Sequence, residues 1–324
     1  MALSVRIEQH GGPEVMQLVE APLAPPAAGE VSLQQHAVGL NFIDTYQRSG
    51  LYPIALPSGL GQEAAGVVTA VGAGVEHLRV GDRVAYAGGP AGAYAAARVL
   101  PAARLVKLPE GIASDVAAAL LLKGMTAYYL LHMTFVVKSG HRLLVHAAAG
   151  GVGSVLVPWA KSLGAEVIGT VGSLDKAAHA QRYGCDAVII QGQQDIAKEV
   201  KRFTGGTGVD VVYDSVGKDS FAASLDSLRP RGLLVSYGNA SGKPPAVDPG
   251  TLMTKGSLFL TRPTLAHYTA NRTELETAAH ALFKVIADGT VKAEIGQRFP
   301  LRDVQQAHRD MEARNTRGAS LLIP

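Results

Sequence analysis

The sequence has little cysteine, little net charge and no uninterrupted apolar run long enough to suggest a membrane span. A single cysteine among 324 residues excludes a disulfide framework and a cysteine-rich zinc module. The 30 basic and 27 acidic residues leave a formal charge of only +3, and no three basic residues are consecutive. This balance does not favour a surface for nucleic acid or acidic membranes.

The longest uncharged apolar stretch, residues 143–160, is interrupted by His146, Pro158 and three glycines. We therefore expect a strand, a turn and a helix here rather than a transmembrane helix. The first residues include Arg6 and Glu8, where a secretory signal would need an unbroken apolar segment. These features predict a soluble, cytoplasmic protein.

The sequence does contain enough apolar side chain to fill a sizeable core. Its hydrophobic content of 47% excludes a disordered or fibrous chain. Its length predicts roughly two domains, at about 150 residues for each domain.

The order of the apolar runs predicts two kinds of domain. Up to about residue 113, strand-like runs such as 65–71 and 82–86 alternate with Gly and Pro turns, which indicates a compact, mostly antiparallel β domain. From there to residue 237, short apolar strands alternate with four helix-length segments, which indicates a parallel sheet covered on both faces. The last segment ends in one strand and is expected to return to the first domain.

These patterns together predict an α/β protein with a doubly wound parallel sheet and a second, mostly antiparallel β domain. The predicted domain bounds are 1–122 for the first part of the β domain, 123–260 for the parallel-sheet domain and 261–324 for the returning segment.

One turn in the second domain has the features of a dinucleotide site. It follows an apolar strand, opens a helix and reads His146-Ala147-Ala148-Ala149-Gly150-Gly151-Val152-Gly153. The spacing is that of G-x-G-x-x-G with Ala148 in the first place. We expect Gly150 to let the backbone turn towards a pyrophosphate and Gly153 to let the helix pack close to the strand. The N–H groups at the start of the helix would bind the phosphates.

The end of the next strand predicts NADPH rather than NADH. This strand ends at Val171-Gly172, without the Asp or Glu that usually accepts from the ribose 2′-hydroxyl of NAD. Ser173 and Lys176 follow; a small residue leaves room for a 2′-phosphate, and a lysine supplies positive charge for it. Asp175 is expected in the first turn of a helix, where an acid suits the helix dipole. A solvated lysine with no ligand is the alternative for Lys176.

No catalytic metal is predicted from the residues. A catalytic zinc needs three protein ligands from Cys, His or carboxylate side chains. The one cysteine, Cys185, is interpreted as a small core residue, and the ten histidines have no metal-binding spacing.

Together these features resemble the medium-chain dehydrogenase/reductase superfamily, and within it the zinc-free, zeta-crystallin-like quinone oxidoreductases, most closely the bacterial NADPH:quinone reductases. In zinc-dependent relatives the stretch around Gly61 reads Gly-His-Glu, whereas here it reads Gly61-Gln62-Glu63. Besides the glycine turn, the resemblance is carried by His10-Gly11-Gly12-Pro13-Glu14-Val15, Asn41-Phe42-Ile43-Asp44-Thr45-Tyr46, Gly50-Leu51-Tyr52-Pro53, the stretch from Pro57 to Gly66, Lys123-Gly124-Met125-Thr126-Ala127, and Val212-Tyr213-Asp214-Ser215-Val216-Gly217.

The resemblance implies a Rossmann domain that binds NADPH and a GroES-like β domain built from both chain ends. It implies that the nicotinamide lies near Asn41, Tyr46, Thr126 and residues 236–239. It also implies a homodimer joined through the edge strand at 256–260. The cofactor-binding residues expected from the turn, the strand end and the resemblance are Asn41, Thr126, Gly150, Gly151, Val152, Gly153, Gly172, Ser173, Lys176, Gln191, Tyr237 and Arg314.

Two positions depart from the family pattern. Close relatives often have Asn-Tyr after the third Rossmann strand, where this chain has Ile190-Gln191, so the ring contact to the phosphoadenosine is weakened or replaced by an amide. The family expects Gln where this chain has Pro158, inside the helix after the turn. A proline there removes one backbone N–H and predicts a kink.

The resemblance implies hydride transfer from NADPH to a quinone, with Tyr46, Asn41 and Tyr52 as the predicted catalytic residues. The two tyrosines would wall a flat slot, and the Tyr46 hydroxyl, the Asn41 amide or a water would donate to the oxygen that gains charge. Each tyrosine has packing as its alternative role. Asp44 is as well explained by a local cap or salt bridge, and Lys123 by a structural ion pair.

Two other functions stay open on the sequence. An enone or alkenal reductase on the same scaffold would need a proton delivered to carbon. A non-catalytic NADPH-binding or RNA-binding crystallin-like protein is the second, and the absence of a basic run argues against RNA. The predicted partners are a small quinone and a second copy of the chain, with no nucleic acid and no membrane.

Overall fold

The computed structural model describes residues Met1–Pro324. The strands are β1 (Ala2–Ile7), β2 (Gln17–Ala21), β3 (Glu30–Leu40), β4 (Ser58–Gly59), β5 (Glu63–Val71), β6 (Arg83–Ala87), β7 (Ala97–Pro101), β8 (Val106–Lys107), β9 (Arg142–Val145), β10 (Glu166–Val171), β11 (Ala187–Ile190), β12 (Val209–Asp214), β13 (Leu228–Ser236), β14 (Phe259–Thr261), β15 (Ile295–Pro300) and β16 (Ala319–Ile323). The α-helices are α1 (Phe42–Ser49), α2 (Ser114–Tyr129), α3 (Gly153–Ser162), α4 (Leu174–Arg182), α5 (Ile196–Phe203), α6 (Phe221–Ser227), α7 (Pro249–Thr254), α8 (Leu265–Tyr268), α9 (Arg272–Ala287) and α10 (Val304–Glu312).

The chain divides into two compact units, with main boundaries after Met125 and Tyr268, where the sequence predicts boundaries after residues 122 and 260. The first boundary falls inside α2. The sequence pattern predicts one helix that begins at Ser114 and a second over Thr126–Met133, whereas the structure has one helix over Ser114–Tyr129 that runs on into a π-helical turn over Leu130–Thr134. Gly124 lies inside this helix and faces Leu282: a Cβ at Gly124 would lie 2.3 Å from the end of the Leu282 side chain. The first unit comprises 1–125, 269–287 and 292–324, and the second comprises 126–268 and 288–291.

The first unit is built around a mostly antiparallel sheet with β3 at its centre. The strand order is β15-β16-β3-β5-β6-β8, β7 also pairs with β3, and a separate sheet has the order β2-β1-β4. Alternate residues of β3, such as Val31 and Leu33, are fully buried in the core of this unit. The last strand, β16, pairs antiparallel with β3, so the end of the chain completes the sheet begun by its first part.

The second unit is a six-stranded parallel sheet with the order β11-β10-β9-β12-β13-β14. Its two central strands each bury a continuous apolar run, Leu143–Val145 in β9 and Val211–Tyr213 in β12, as expected where helices cover both faces of a sheet. The helices α3, α4, α5 and α6 provide four of the crossovers, and the predicted fold class is confirmed. The direction of winding reverses between β9 and β12, and doubly wound sheets bind ligands at the carboxyl ends of the strands on either side of such a point.

Two helical segments have unusual sequences for their positions. The segment Ser114–Thr134 is long and apolar enough to cross a membrane, but 72% of its most apolar window is buried inside the protein, and core helices meet the same criterion. Pro158 lies inside α3, which continues past it to Ser162, so the proline is accommodated without ending the helix.

Candidate active site

The carboxyl edge of the parallel sheet collects most of the predicted cofactor residues. Residues 150–153 follow β9, residues 172–176 follow β10, Gln191 follows β11 and Tyr237 follows β13. Thr126 is a buried residue of α2 in this unit. Of the remaining predicted residues, Asn41, Tyr46, Tyr52 and Arg314 lie in the first unit.

The turn after β9 is tight, but its left-handed residue is an alanine. Ala147 has a φ of +52°, and none of the glycines of this turn has a positive φ. The carbonyl of Ala147 accepts a hydrogen bond from Gly150 N at 2.8 Å. Gly153 is required by close approach, because a Cβ there would lie 2.4 Å from the carbonyl oxygen of Ala148. The tight turn expected at Gly150 is therefore made at Ala147, whereas the close packing expected at Gly153 is present.

A buried histidine, to which the sequence pattern assigns no role, ties this turn to its neighbours. His146 Nε2 lies 2.9 Å from Ser224 Oγ, and Ser224 donates its own hydrogen to Asp214 Oδ2 at 2.7 Å. Nε2 must therefore carry the proton, and Nδ1 accepts from Thr170 Oγ1 at 3.0 Å. Burial lowers the pKa of His146 and outweighs the opposing effect of Asp214, which keeps the ring neutral. The end of β9 is thus fastened to the ends of β10 and β12.

The turn after β10 leaves open space beside a cation. A Cβ at Gly172 would meet no atom within 4 Å, so packing alone does not demand glycine there. Ser173 is the N-cap residue of α4, and Lys176 lies half-buried in the first turn of that helix. A cation in this position is opposed by the helix dipole, which favours anions. Asp175 lies exposed in the same turn, as predicted.

Further polar groups line the same edge of the sheet. Ser236, the last residue of β13, is 3% exposed, and its hydroxyl has no hydrogen-bond partner. Gln191 donates its backbone N–H to Val171 O at 2.8 Å, which places it beside the end of β10. This edge of the sheet fits a dinucleotide that carries an extra phosphate. It offers the unpartnered Ser236 hydroxyl, the N-terminus of α3 at Gly153, and Lys176 shortly after the open space at Gly172.

In the first unit, Asn41 lies immediately before α1 and is held by a buried ion pair. Lys123 Nζ donates to Asn41 Oδ1 at 2.7 Å, and Asn41 Nδ2 donates to Glu63 Oε2 at 2.8 Å. Lys123 Nζ lies 3.4 Å from Glu63 Oε2, so Lys123 does form the ion pair considered for it. All three residues are buried, and Asn41 keeps 6% of its surface exposed.

Asp44 caps the start of α1 from inside the core. Its Oδ2 accepts from Asn41 N and from the Tyr94 hydroxyl, both at 2.8 Å, and its Oδ1 has no partner. Burial raises the pKa of Asp44 to about 7; the negative charge of Glu63 adds to this, while the two hydrogen bonds and Lys123 oppose it. The cap interpretation of Asp44 therefore agrees with the geometry.

A chain of hydrogen bonds continues from Asp44 to the surface. Tyr94 Oη lies 3.0 Å from His308 Nε2, and Arg48 donates to His308 Nδ1 at 2.9 Å. Burial, followed by the charge of Arg48, lowers the pKa of His308 to about 3, so the ring is neutral and Nε2 donates to Tyr94. Arg48 also pairs with Glu312 at 2.7 Å. Both ends of α1 are therefore fixed by buried polar contacts.

The face of α1 that is not held in this way is aromatic and partly exposed. Tyr46 and Tyr52 are half-buried and meet edge to face, with ring centroids 5.1 Å apart. Phe42, one turn before Tyr46, is 40% exposed, with its ring centroid 6.3 Å from that of Tyr46. The tyrosines thus pack on each other and also keep accessible surface. Phe42 is not among the residues that the sequence analysis assigns to the site. Its spacing of four from Tyr46 places both residues on one helix face and could have indicated it.

Two other predicted residues have simple surroundings. Arg314 is exposed in the loop after α10, with a φ of +62° and its N–H donated to Met311 O at 3.1 Å. Cys185 is partly buried, and burial, with Asp186 adding to it, raises the pKa of its thiol to about 12. This agrees with an unreactive packing residue.

Comparison with known families matches both units. The family model "Alcohol dehydrogenase GroES-like domain" matches residues 27–110, and the model "Zinc-binding dehydrogenase" matches residues 151–283. The donor set of this chain does not fit the zinc of that second description. Gln62 offers an amide in the Gly61-Gln62-Glu63 segment, and no group of three or more His, Cys, Asp or Glu could hold a metal ion.

Individual relatives are similar along the whole chain. A quinone oxidoreductase of Salmonella typhimurium is 52% identical over 100% of both chains. A 2-haloacrylate reductase of Burkholderia sp is 45% identical over 100% of this chain and 99% of its own. Among solved structures, the quinone oxidoreductase of Escherichia coli complexed with NADPH has a TM-score of 0.98 and 49% identity, covering 99% of this chain and 100% of the other.

Proposed function

The chain belongs to the quinone oxidoreductases of the medium-chain dehydrogenase/reductase superfamily, and from this premise we propose that it catalyses the NADPH-dependent reduction of a quinone. One observation carries the proposal. A single chain combines a dinucleotide turn and a lysine beside open space with an aromatic helix face that begins at a buried amide, Asn41. The full-length similarity to named quinone oxidoreductases supports the same substrate class.

The second unit would hold the cofactor through backbone and small polar groups. The N–H groups of residues 150–153 would bind the pyrophosphate, and Gly172, Ser173 and Lys176 would accommodate the 2′-phosphate. The orphaned Ser236 hydroxyl would find its partner at the nicotinamide end, with Tyr237 beside it in the chain. NADPH supplies the hydride when it is bound. Roles for Thr126, Gln191 and Arg314 stay predictions of the same kind.

The first unit would position the acceptor. The partly exposed rings of Phe42, Tyr46 and Tyr52 offer aromatic faces, inclined to one another, on which a quinone ring could stack. The oxygen that gains charge on reduction needs a hydrogen-bond donor, and we assign this role to the Asn41 amide or the Tyr46 hydroxyl, which lie at the N-cap and inside α1.

The direct test is a substrate screen with purified protein, following the absorbance of NADPH. We expect oxidation of NADPH with several ortho- and para-quinones and little oxidation with NADH in its place. Normal binding of NADPH without turnover of any quinone would contradict the proposal.

The similarity to the 2-haloacrylate reductase favours one second candidate, reduction of an activated carbon–carbon double bond. That reaction also begins with hydride transfer, but a proton must then be delivered to carbon. Tyr46→Phe would therefore reduce turnover of α,β-unsaturated carbonyls far more than turnover of quinones. Running both acceptor classes side by side with the wild type and this variant separates the two functions.

We also propose that the chain forms a homodimer through the edge strand β14, which covers Phe259–Thr261 rather than the predicted 256–260. This strand pairs with β13 on one side only, and Phe259 on it is 61% exposed. An apolar edge strand left open is an aggregation hazard, and pairing with a second copy removes it. Light scattering should give twice the chain mass for the wild type and a smaller mass for Phe259→Glu. A cytoplasmic location stays a prediction, to be tested by cell fractionation.

A further inference from the structure

The ion pair of Lys123 and Glu63 beside Asn41 is buried, which has a large desolvation penalty. Glu63 is 0% exposed and Lys123 5% exposed, and such residues are almost never buried to this degree unless they are paired. The pair is loose, at 3.4 Å, and the desolvation of two charges commonly exceeds the attraction between them. An apolar pair of similar volume would often be as stable. The charges are therefore better explained by what they do to a third group.

That third group is the carboxamide of Asn41, which forms a hydrogen bond with each member of the pair. Lys123 donates to the carbonyl oxygen at 2.7 Å, and Glu63 accepts from the amide nitrogen at 2.8 Å. Glu63 is itself held, because its other oxygen accepts from Leu122 N at 2.6 Å. A flipped carboxamide would turn its NH2 towards an ammonium and its oxygen towards a carboxylate. Only one orientation is therefore compatible with the pair.

In that orientation one donor is left over. A carboxamide has two N–H bonds, and Glu63 takes one of them. The second N–H makes no hydrogen bond within the chain. The ammonium on the carbonyl oxygen draws electron density from the amide, which makes the remaining N–H a stronger donor.

We propose that Lys123 and Glu63 are positioning residues that hold the Asn41 carboxamide in one orientation, with its second N–H directed to the acceptor oxygen that gains charge. The choice of acceptor rests on the proposed function, whereas the orientation does not. Asn41 is the catalytic residue in this arrangement, and the ion pair acts only through it.

The orientation can be measured without any turnover. The sequence has four asparagines, at positions 41, 239, 271 and 315, so asparagine-selective ¹⁵N labelling gives at most four pairs of carboxamide signals. Asn41→Ala identifies the pair that belongs to Asn41. In the wild type we expect that pair to be well separated and protected from exchange with water. In Lys123→Met it should shift and exchange at least about 10-fold faster, because one of the two bonds that hold it is gone.

Folding must be separated from positioning. Lys123→Met leaves Glu63 without its counter-ion, so the neutral double variant Glu63→Gln/Lys123→Met is measured beside it. Leu100→Ala, a core substitution in the same unit, serves as the matched control for lost stability. The Asn41 signals should move in both Lys123 variants and stay in place in Leu100→Ala. Unchanged Asn41 signals in a folded Lys123→Met or double variant would overturn the proposal.

A double-mutant cycle tests the link to the reaction. Asn41→Ala and Lys123→Met should each lower kcat with a quinone, on the order of 10²-fold for the loss of one aligned donor. The combined variant should be no slower than Asn41→Ala alone, because Lys123 acts only through that amide. Losses that multiply would show that Lys123 acts independently and would refute the positioning role. A wild type that reduces no quinone would sink the proposed function instead, and the NMR measurement would still decide the orientation.

Discussion

Asp44 makes the stability of the first unit depend on pH near neutrality. Its carboxyl group is fully buried, and its pKa is raised from 3.8 to about 7, chiefly by burial. Between those two values the folded state keeps a proton that the unfolded state has lost. The free energy of unfolding therefore falls as pH rises from the unfolded-state pKa to the folded-state pKa of Asp44, and above the folded-state pKa Asp44 causes no further change.

The size of the effect follows from the shift. At about 1.4 kcal/mol for each pKa unit, the full window corresponds to about 4 kcal/mol, of which about 3 kcal/mol falls between pH 5 and pH 8. Asp44→Asn cannot ionise, and its oxygen can still accept from Asn41 N and the Tyr94 hydroxyl. Its NH2 group would occupy the place of the unpartnered Oδ1, at a pH-independent cost of about 1–3 kcal/mol. The variant should thus be less stable at pH 5 and should lose that disadvantage by pH 8.

The assay is urea unfolding of wild type and variant at a series of pH values, because the difference between them cancels the other titrating groups. Asp82→Asn is the matched control. Burial works against ionisation at Asp82, but its bonds to Lys107 and Arg79 prevail and lower the pKa, so its difference from wild type should be flat from pH 5 to pH 8. A flat curve for Asp44→Asn, or one that slopes the other way, would refute the reasoning.

Three further predictions concern the turns of the second unit. Lys176→Ala should raise the Kd for NADPH by about 10-fold and leave the Kd for NADH unchanged, measured by fluorescence titration; equal losses would remove Lys176 from the 2′-phosphate site. Gly153→Ala should weaken NADPH binding roughly 10- to 100-fold, because its Cβ would lie 2.4 Å from a carbonyl oxygen, whereas Gly172→Ala, with open space around it, should fold normally. Ala147→Gly should unfold within a few degrees of the wild type, whereas Ala147→Val should be clearly less stable in a thermal melt, because a β-branched residue is strained at positive φ. Equal melting temperatures for the two Ala147 variants would count against the left-handed turn.

The parallel sheet was predictable because its signal is local. Strands β9 and β12 each contain a continuous apolar run, Leu143–Val145 and Val211–Tyr213, and helix-length segments separate the strands. The continuity of α2 was not predictable in the same way, because Gly124 resembles a helix break until Leu282, far along the chain, fills the space beside it. The local sequence pattern therefore predicted which elements form, whereas the extent of α2 involves a contact with a residue far along the chain.

The site likewise has features that a local motif predicts and features that depend on residues far apart in the sequence. The glycine spacing announces the turn after β9, but spacing does not reveal that Ala147 adopts the left-handed conformation. That conformation is imposed from outside the turn: Ala148 N is bound to Thr170 O and His146 N to Tyr213 O, which fixes the chain on both sides of Ala147. In the first unit Asn41 was predicted, but its partners Glu63 and Lys123 lie 22 and 82 residues away. Such a pairing has no signature in a local motif.

The rigid side of α1 and its aromatic side have different consequences for which acceptors the protein can use. Asn41 and Asp44 at its start and Arg48 at its end are held by charged or hydrogen-bonded partners in the core, so the helix cannot move without breaking buried polar contacts. Phe42 and Tyr46 lie near each other, with ring centroids 6.3 Å apart, and both keep accessible surface. A fixed donor beside an adjustable ring surface suits flat acceptors whose polar atom stays in one place while the remainder varies. Relatives named for a quinone and for a haloacrylate would then differ first at the rings and last at the Lys123–Glu63 pair.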